Sequence, residues 1–225
     1  MKNLPRLIIF SSGTKRGGGS GFEKLVDAKR NGLLQADIVA VVSNHEHGGV
    51  RKRADKLGIP FEFFSRPFTP LSYFAILEKY NAQWIALSGW LKLIPMKNEK
   101  EGVEGLDPSR TVNIHPGPLP AFGGPGMYGH YVHEAVINAY KRGEIVESAV
   151  TMHFVTHKYD EGPVIFRKQV TIEENDTPET LGACVNKVEH KYQAFVTNLV
   201  VNEQIKWDGM NPDTLVVPRN YPFLN

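Results

Sequence analysis

An asparagine and a histidine two residues apart, just before a proline, are the strongest chemical signal in the chain. In Val112-Asn113-Ile114-His115-Pro116-Gly117-Pro118, strand alternation sends Asn113 and His115 to one face and Val112 and Ile114 to the other. Pro116 has no N–H to give a ladder, so the strand ends there with both polar side chains at its carboxyl edge. Open α/β sheets bind their ligands at that edge. Polar groups on a strand otherwise built for burial cost stability unless they are paired or used. An amide and an imidazole converging on one point suit an oxyanion, and the imidazole can also move a proton near neutral pH. The plainer alternative is a structural pair that ties down the proline-rich loop. Further on, Asp160 lies in Tyr159-Asp160-Glu161-Gly162-Pro163. Alone it reads as a turn residue; beside His115 it would orient the ring and favour its protonated form.

A second signal is the run Ser12-Gly13-Thr14-Lys15-Arg16-Gly17-Gly18-Gly19-Ser20-Gly21, placed between a strand and a helix. Unsatisfied N–H groups and the dipole at a helix start favour an anion, and glycines let the backbone approach it. No Gly-Lys-Ser/Thr closes the run, so it is not a P-loop. The second strand ends in Ser43-Asn44 and lacks the acidic residue of a dinucleotide fingerprint. A phosphate monoester site remains, against a flexible turn in which Ser20 merely caps the helix.

Other candidates carry less. His45-Glu46-His47 has no third ligand and reads as solvated. His130 and His133 lie three apart on a helix without a completing carboxylate or cysteine, so no metal is expected. Arg51-Lys52-Arg53 with Lys56 reads as one solvated helix face, and Cys184 as inert core. Glu189, at the flank of an apolar stripe, reads locally as solvent-facing.

These groups need a scaffold, and short β-branched runs alternating with helical patterns predict an α/β fold with a mostly parallel sheet. Strands are expected at Leu7–Ser11, Ile38–Ser43, Pro60–Phe64, Trp84–Gly89 and Thr111–His115, with Val150–Phe154 and Pro163–Val170 paired around a turn. Helices are expected at Ser20–Arg30, opened by a Ser20-Gly21-Phe22-Glu23 capping box, and at Val50–Leu57, stopped by Gly58. Others start at Thr69-Pro70, span Gly129–Arg142, or start at Thr177-Pro178 with a stripe of Leu181, Cys184, Val185, Val188, Tyr192, Phe195, Val196 and Leu199. Prolines 212, 218 and 222 mark an extended C-terminal tail on the domain.

The 225 residues carry 26 Lys+Arg against 24 Asp+Glu, a formal charge of +2. That balance argues against a nucleic-acid surface or a polybasic membrane anchor. One cysteine excludes an intramolecular disulfide and fits a reducing compartment. No run approaches the length of a membrane span, so a cytoplasmic protein is expected.

Taken together, Asn113-Ile114-His115-Pro116, the later His153-Phe154-Val155-Thr156 with Asp160, and Gly162-Pro163-Val164-Ile165 resemble the folate-dependent formyltransferases. The likeness runs from about Leu7 to Trp207, and the order and separation of the motifs are more specific than any one piece. It implies a Rossmann-like formyltransferase fold with helices on both faces of the sheet. One domain would span 1–225, with its core at about 7–207 and a tail at 208–225. The implied reaction passes the formyl group of 10-formyltetrahydrofolate to the amine of 5'-phosphoribosylglycinamide in purine biosynthesis, by direct amine attack.

Carried over, Asn113, His115 and Asp160 fall on the family's catalytic trio. Asn113 and protonated His115 would hold the oxyanion while Asp160 supports the imidazolium. Gly19, Ser20 and Gly21 fall on the phosphate loop. Asn186, Lys187, Val188 and Glu189 fall on the ribonucleotide segment, with Glu189 accepting from ribose hydroxyls in place of the solvent-facing reading. Leu91, Lys92, Leu93, Ile94 and Thr156, His157, Lys158, Tyr159, together with Asn113 and Asp160, fall on the formyl-donor site.

The chain departs from the family in three places. Extra residues surround Lys15-Arg16-Gly17 and Gly21 replaces an expected Asn. Lys92 stands where arginine is common, which forfeits a bidentate fork, and Tyr128 replaces a frequent His. Within the family, the length disfavours a tRNA-directed member with an RNA-binding domain and a deformylase with a regulatory domain. A sugar-nucleotide N-formyltransferase is the enzymatic rival, and a non-catalytic nucleotide-binding module would leave the trio unexplained. Small-molecule partners are expected, with no nucleic acid or membrane, in a monomer or homodimer.

Overall fold

The computed structural model describes residues 3–224. Their aliphatic runs form seven strands: β1 (Arg6–Phe10), β2 (Asp37–Ser43), β3 (Phe61–Phe63), β4 (Trp84–Leu87), β5 (Thr111–His115), β6 (Glu147–Phe154) and β7 (Val164–Thr171). They make one sheet in the order β3-β2-β1-β4-β5-β6-β7. The run from β3 to β5 is parallel, while β6 and β7 are antiparallel additions beyond β5. The helices are α1 (Ser20–Arg30), α2 (Gly49–Leu57), α3 (Pro70–Lys79), α4 (His130–Lys141) and α5 (Pro178–Val201).

Side-chain alternation divides the core into two layers. Leu7, Ile9, Trp84, Ala86, Val112 and Ile114 face the layer packed by α1, α2, α4 and α5. Ile8, Phe10, Ile85 and Leu87 face the opposite layer, made by α3 and the segment from Trp90 to Leu106. With Val112 and Ile114 committed to the first layer, Asn113 and His115 turn to the other side, as the alternation predicts. Chain order reverses between β1 and β4, which opens a crevice at the carboxyl edge of the sheet.

Local chemistry explains most helix ends. Thr69 caps α3 by accepting from the Ser72 N–H, with Pro70 at the first helical position. Thr177 and Thr180 form a reciprocal capping box on α5. Gly58 ends α2 at φ 68, a left-handed conformation that suits glycine.

Three expectations are corrected. Ser20 does not cap α1: the cap is Gly19 at φ 80 with no side-chain hydrogen bond, and the Glu23 carboxylate pairs with Arg53 instead. Cys184 is exposed, and Leu181 and Val185 carry the buried seam of α5 instead. Arg53 is also more than a solvated residue, since it reaches across to the glycine loop. The tail does lie on the domain: Phe223 packs against Phe166, Tyr192 and Phe195, and its carbonyl accepts from the Arg167 N–H.

Candidate active site

The carboxyl-edge crevice is a cavity of about 480 Å3. Its walls come from the loop after β1, the segment after β4, the end of β5, the loop joining β6 to β7, and one side of α5. Two hydrogen bonds fix the first two walls to each other. The Ser12 N–H donates to the Gly89 carbonyl at 2.9 Å, and the Leu91 N–H donates to Ser12 Oγ at 3.0 Å. Trp90 anchors the segment after β4 by packing edge-on against Phe10 and donating its indole N–H to Tyr73 Oη at 3.1 Å. Leu91 and Leu93 are left exposed at the cavity rim, while Ile94 is buried in the wall.

Asn113, His115 and Asp160 meet in this cavity. His115 Nδ1 lies 3.7 Å from Asp160 Oδ2. Its Nε2 is 2.7 Å from the Phe122 carbonyl, an acceptor, so Nε2 carries the hydrogen and Nδ1 faces the carboxylate. Burial pushes the His115 pKa down, with the Asp160 charge and the Phe122 carbonyl only partly offsetting it. Burial thus favours the neutral ring, while the neighbouring carboxylate favours the charged one.

Asp160 is held from three sides. Its Oδ2 accepts from the Gly124 N–H at 3.0 Å, and its Oδ1 lies 3.3 Å from His153 Nε2 and 3.5 Å from Asn113 Nδ2. Burial pushes its carboxyl up, but the adjacent His153 ring, the His115 charge and the Gly124 N–H outweigh it and leave the pKa below the ordinary value. Its backbone has φ 57, a left-handed conformation that aspartate tolerates better than most residues.

His153 is the group in this cluster to which the motifs assigned no role. It pairs with Asn113 across the β5–β6 ladder, donates Nδ1–H to the Phe154 carbonyl at 2.7 Å, and sets Nε2 3.1 Å from Asn113 Nδ2. One hydrogen of the Asn113 amide is thereby engaged. The other points to Asp160 Oδ1 at 3.5 Å, the long limit of a hydrogen bond.

The glycine loop lines the same cavity through Gly18, Gly19, Ser20 and Gly21. A Cβ at Gly21 would lie 2.2 Å from Ser88 Oγ and 2.9 Å from Gln193 Oε1, so a side chain there would have to displace both. Ser88 and Gln193 fill the space above that glycine, hydrogen-bonded at 3.3 Å. On α5, Asn186 and Glu189 line the cavity, with Asn186 Nδ2 donating to Glu189 Oε2 at 3.3 Å. Burial pushes the Glu189 carboxyl up to about 7, opposed only by the Asn186 hydrogen bond. His133 also contributes to the wall, and burial followed by the charges of His130 and His115 pushes its pKa down to about 4.

Not every expected site residue reaches the cavity. Lys92, Thr156, Lys158 and Tyr159 line it. Lys187 is exposed and Val188 packs against the core, both outside it. His157 turns outward to Asn98 and Glu101, at 3.2 and 3.0 Å. Tyr128 lines the rim. Among the described residues, no group of three or more His, Cys, Asp or Glu is placed to hold a metal ion, and no helix is long and apolar enough to cross a membrane.

Residues 6–199 match the family described as formyl transferase. The chain is 37% identical to a chloroplastic phosphoribosylglycinamide formyltransferase of Arabidopsis thaliana, with 92% of this chain and 72% of that protein covered. It is 31% identical to the phosphoribosylglycinamide formyltransferase of Bacillus subtilis (strain 168), over 86% of this chain and 93% of the other. The crystal structure of glycinamide ribonucleotide transformylase 1 from Geobacillus kaustophilus superposes with a TM-score of 0.70 at 31% identity, covering 88% of this chain and 100% of that one. With a family match over residues 6–199 and a relative 31% identical over 93% of its own length, the chain belongs to the formyl transferase family of enzymes.

Proposed function

We propose that this enzyme transfers the formyl group of 10-formyltetrahydrofolate to the primary amine of 5'-phosphoribosylglycinamide, a step of purine biosynthesis. The observation that carries the reading is the convergence of Asn113, His115 and Asp160 in one cavity. The glycine loop and Glu189 lie on one side of it and the Leu91–Ile94 segment on the other. The ribonucleotide phosphate is assigned to the N–H groups of Gly19, Ser20 and Gly21 at the start of α1, and its ribose hydroxyls to Glu189. Leu91, Lys92, Leu93 and Ile94, with Thr156, Lys158 and Tyr159, would hold the folate.

In this mechanism the neutral amine attacks the formyl carbon, a C–N bond forms, and the carbonyl oxygen takes up negative charge. The hydrogen of the Asn113 amide held only weakly by Asp160, at 3.5 Å, turns to that oxygen and donates to it. Neutral His115 accepts the proton shed by the attacking nitrogen, and Asp160 holds the resulting imidazolium. The same proton then passes to the departing folate nitrogen as its C–N bond breaks, so no net proton is gained or lost. A cytosolic setting belongs to the same reading.

Turnover should be measured with phosphoribosylglycinamide and, separately, with an amino-sugar nucleotide as acceptor. Formylation confined to phosphoribosylglycinamide is expected; preference for the sugar nucleotide would overturn the assignment. The raised Glu189 pKa adds a pH signature. As a carboxylate it accepts from ribose hydroxyls, and with a pKa of about 7 only about a tenth of it is ionised at pH 6. KM for the ribonucleotide should therefore rise several-fold from pH 8 to pH 6, and Glu189→Gln should raise KM and flatten that dependence. An unchanged slope in the variant would remove Glu189 from the ribose site.

A further inference from the structure

Arg53, on α2, ties together three elements. Its Nε donates to the Gly18 carbonyl at 3.0 Å, and its Nη1 reaches the Glu23 carboxylate in the first turn of α1. Its stem lies against the glycine loop, so that a Cβ on Gly19 would stand 3.4 Å from Arg53 Cδ. Glu23 neutralises the guanidinium charge, and Lys56 Nζ approaches the other carboxylate oxygen at 3.8 Å. Arg53 does not line the cavity and has no part in the chemistry above.

Its effect on the loop follows from peptide geometry. The Gly18–Gly19 bond is trans, and in a trans peptide the carbonyl and the N–H point in opposite directions. Holding the Gly18 carbonyl toward α2 turns the Gly19 N–H away from α2. Gly18 and Gly19 both line the cavity, and the Gly19 N–H makes no hydrogen bond among the described residues. Both residues have left-handed φ, 91 and 80, where glycine has no strong preference over negative values. An external anchor is needed to select one orientation of this peptide.

The rest of the loop is already docked. Thr14 closes the turn that carries the extra residues, with its N–H on the Gly17 carbonyl at 2.8 Å and its Oγ1 accepting the Gly17 N–H at 2.8 Å. Gly17 lies so close to α2 that a Cβ on Gly49 would meet its backbone at 2.4 Å.

We propose that Arg53 is a positioning residue that, by holding the Gly18 carbonyl, aims the Gly19 N–H at the phosphate monoester of the acceptor. It sets affinity for that phosphate without touching the formyl chemistry. The inference rests on the ribonucleotide reading above.

The test is steady-state kinetics on Arg53→Met with phosphoribosylglycinamide and with the same acceptor lacking its phosphate. Loss of one oriented donor predicts a KM for the phosphorylated acceptor raised about tenfold. kcat, KM for the folate, and kcat/KM for the dephosphorylated acceptor should change less than twofold. Equal losses on both acceptors, a fall in kcat, or an unchanged KM would each overturn the proposal. Should the Met variant fail to fold by circular dichroism, Arg53→Gln is measured under the same expectations. Absence of turnover with either acceptor in the unaltered enzyme would instead refute the proposed function.

Discussion

Asn113→Ala and His115→Ala should each lower kcat by roughly 100- to 1000-fold, or about 3–4 kcal/mol in the barrier, while the protein stays folded. The Asn113 amide is buttressed by His153 at 3.1 Å, and in the proposed mechanism it faces the oxygen on which charge develops. Its removal costs a donor that is already oriented, so nothing in the ground state compensates. His115 is 3% exposed and hydrogen-bonded through Nε2, which fixes the direction of Nδ1, the atom that takes the proton in the proposed mechanism. Circular dichroism and kcat measured on the same preparations check the expectation. A variant at either position with a near-normal rate would show that the group does not serve the transition state.

Asp160→Asn should depress kcat by a comparable factor, with little change in KM for the ribonucleotide. Burial alone disfavours the His115 imidazolium, and the carboxylate 3.7 Å away is the charge that opposes this effect. An amide at 160 keeps the shape of the turn but gives the imidazolium no counter-charge. The variant should also differ in its stability against pH. Because the folded pKa of Asp160 is depressed, the carboxylate contributes stability above its unfolded pKa, and this is lost as pH falls through the folded value. Melting temperatures of the enzyme should fall across that acid window more steeply than those of Asp160→Asn. A variant that chiefly weakened phosphate binding would place Asp160 outside the catalytic centre.

The site was legible where chemistry followed from local periodicity. Val112 and Ile114 in one core layer leave Asn113 and His115 no other direction than the cavity, and this needs only strand alternation. The glycine run between β1 and α1 showed where the backbone would be bare. What stayed hidden depends on residues distant in the chain. His153 faces Asn113 because β6 pairs antiparallel with β5 in that register, which no local pattern states.

Ser20 looked like a cap because Ser-Gly-Phe-Glu fits a capping box. The left-handed Gly19 takes that place once Glu23 is drawn to Arg53. The same ion pair turned a residue of an apparently solvated basic face into a brace for the loop. Cys184 matched the helical stripe by spacing but is exposed. Gly21 stands where an Asn was expected, and the Ser88–Gln193 pair occupies the space that a side chain there would take.

Direct transfer is tested most plainly by following the fate of the formyl carbon itself. With 10-formyltetrahydrofolate labelled in that carbon and phosphoribosylglycinamide in excess, the label should appear in formylated ribonucleotide, one for each tetrahydrofolate released, with none in formate. Label recovered as free formate, or folate turnover that does not need the acceptor, would contradict the mechanism.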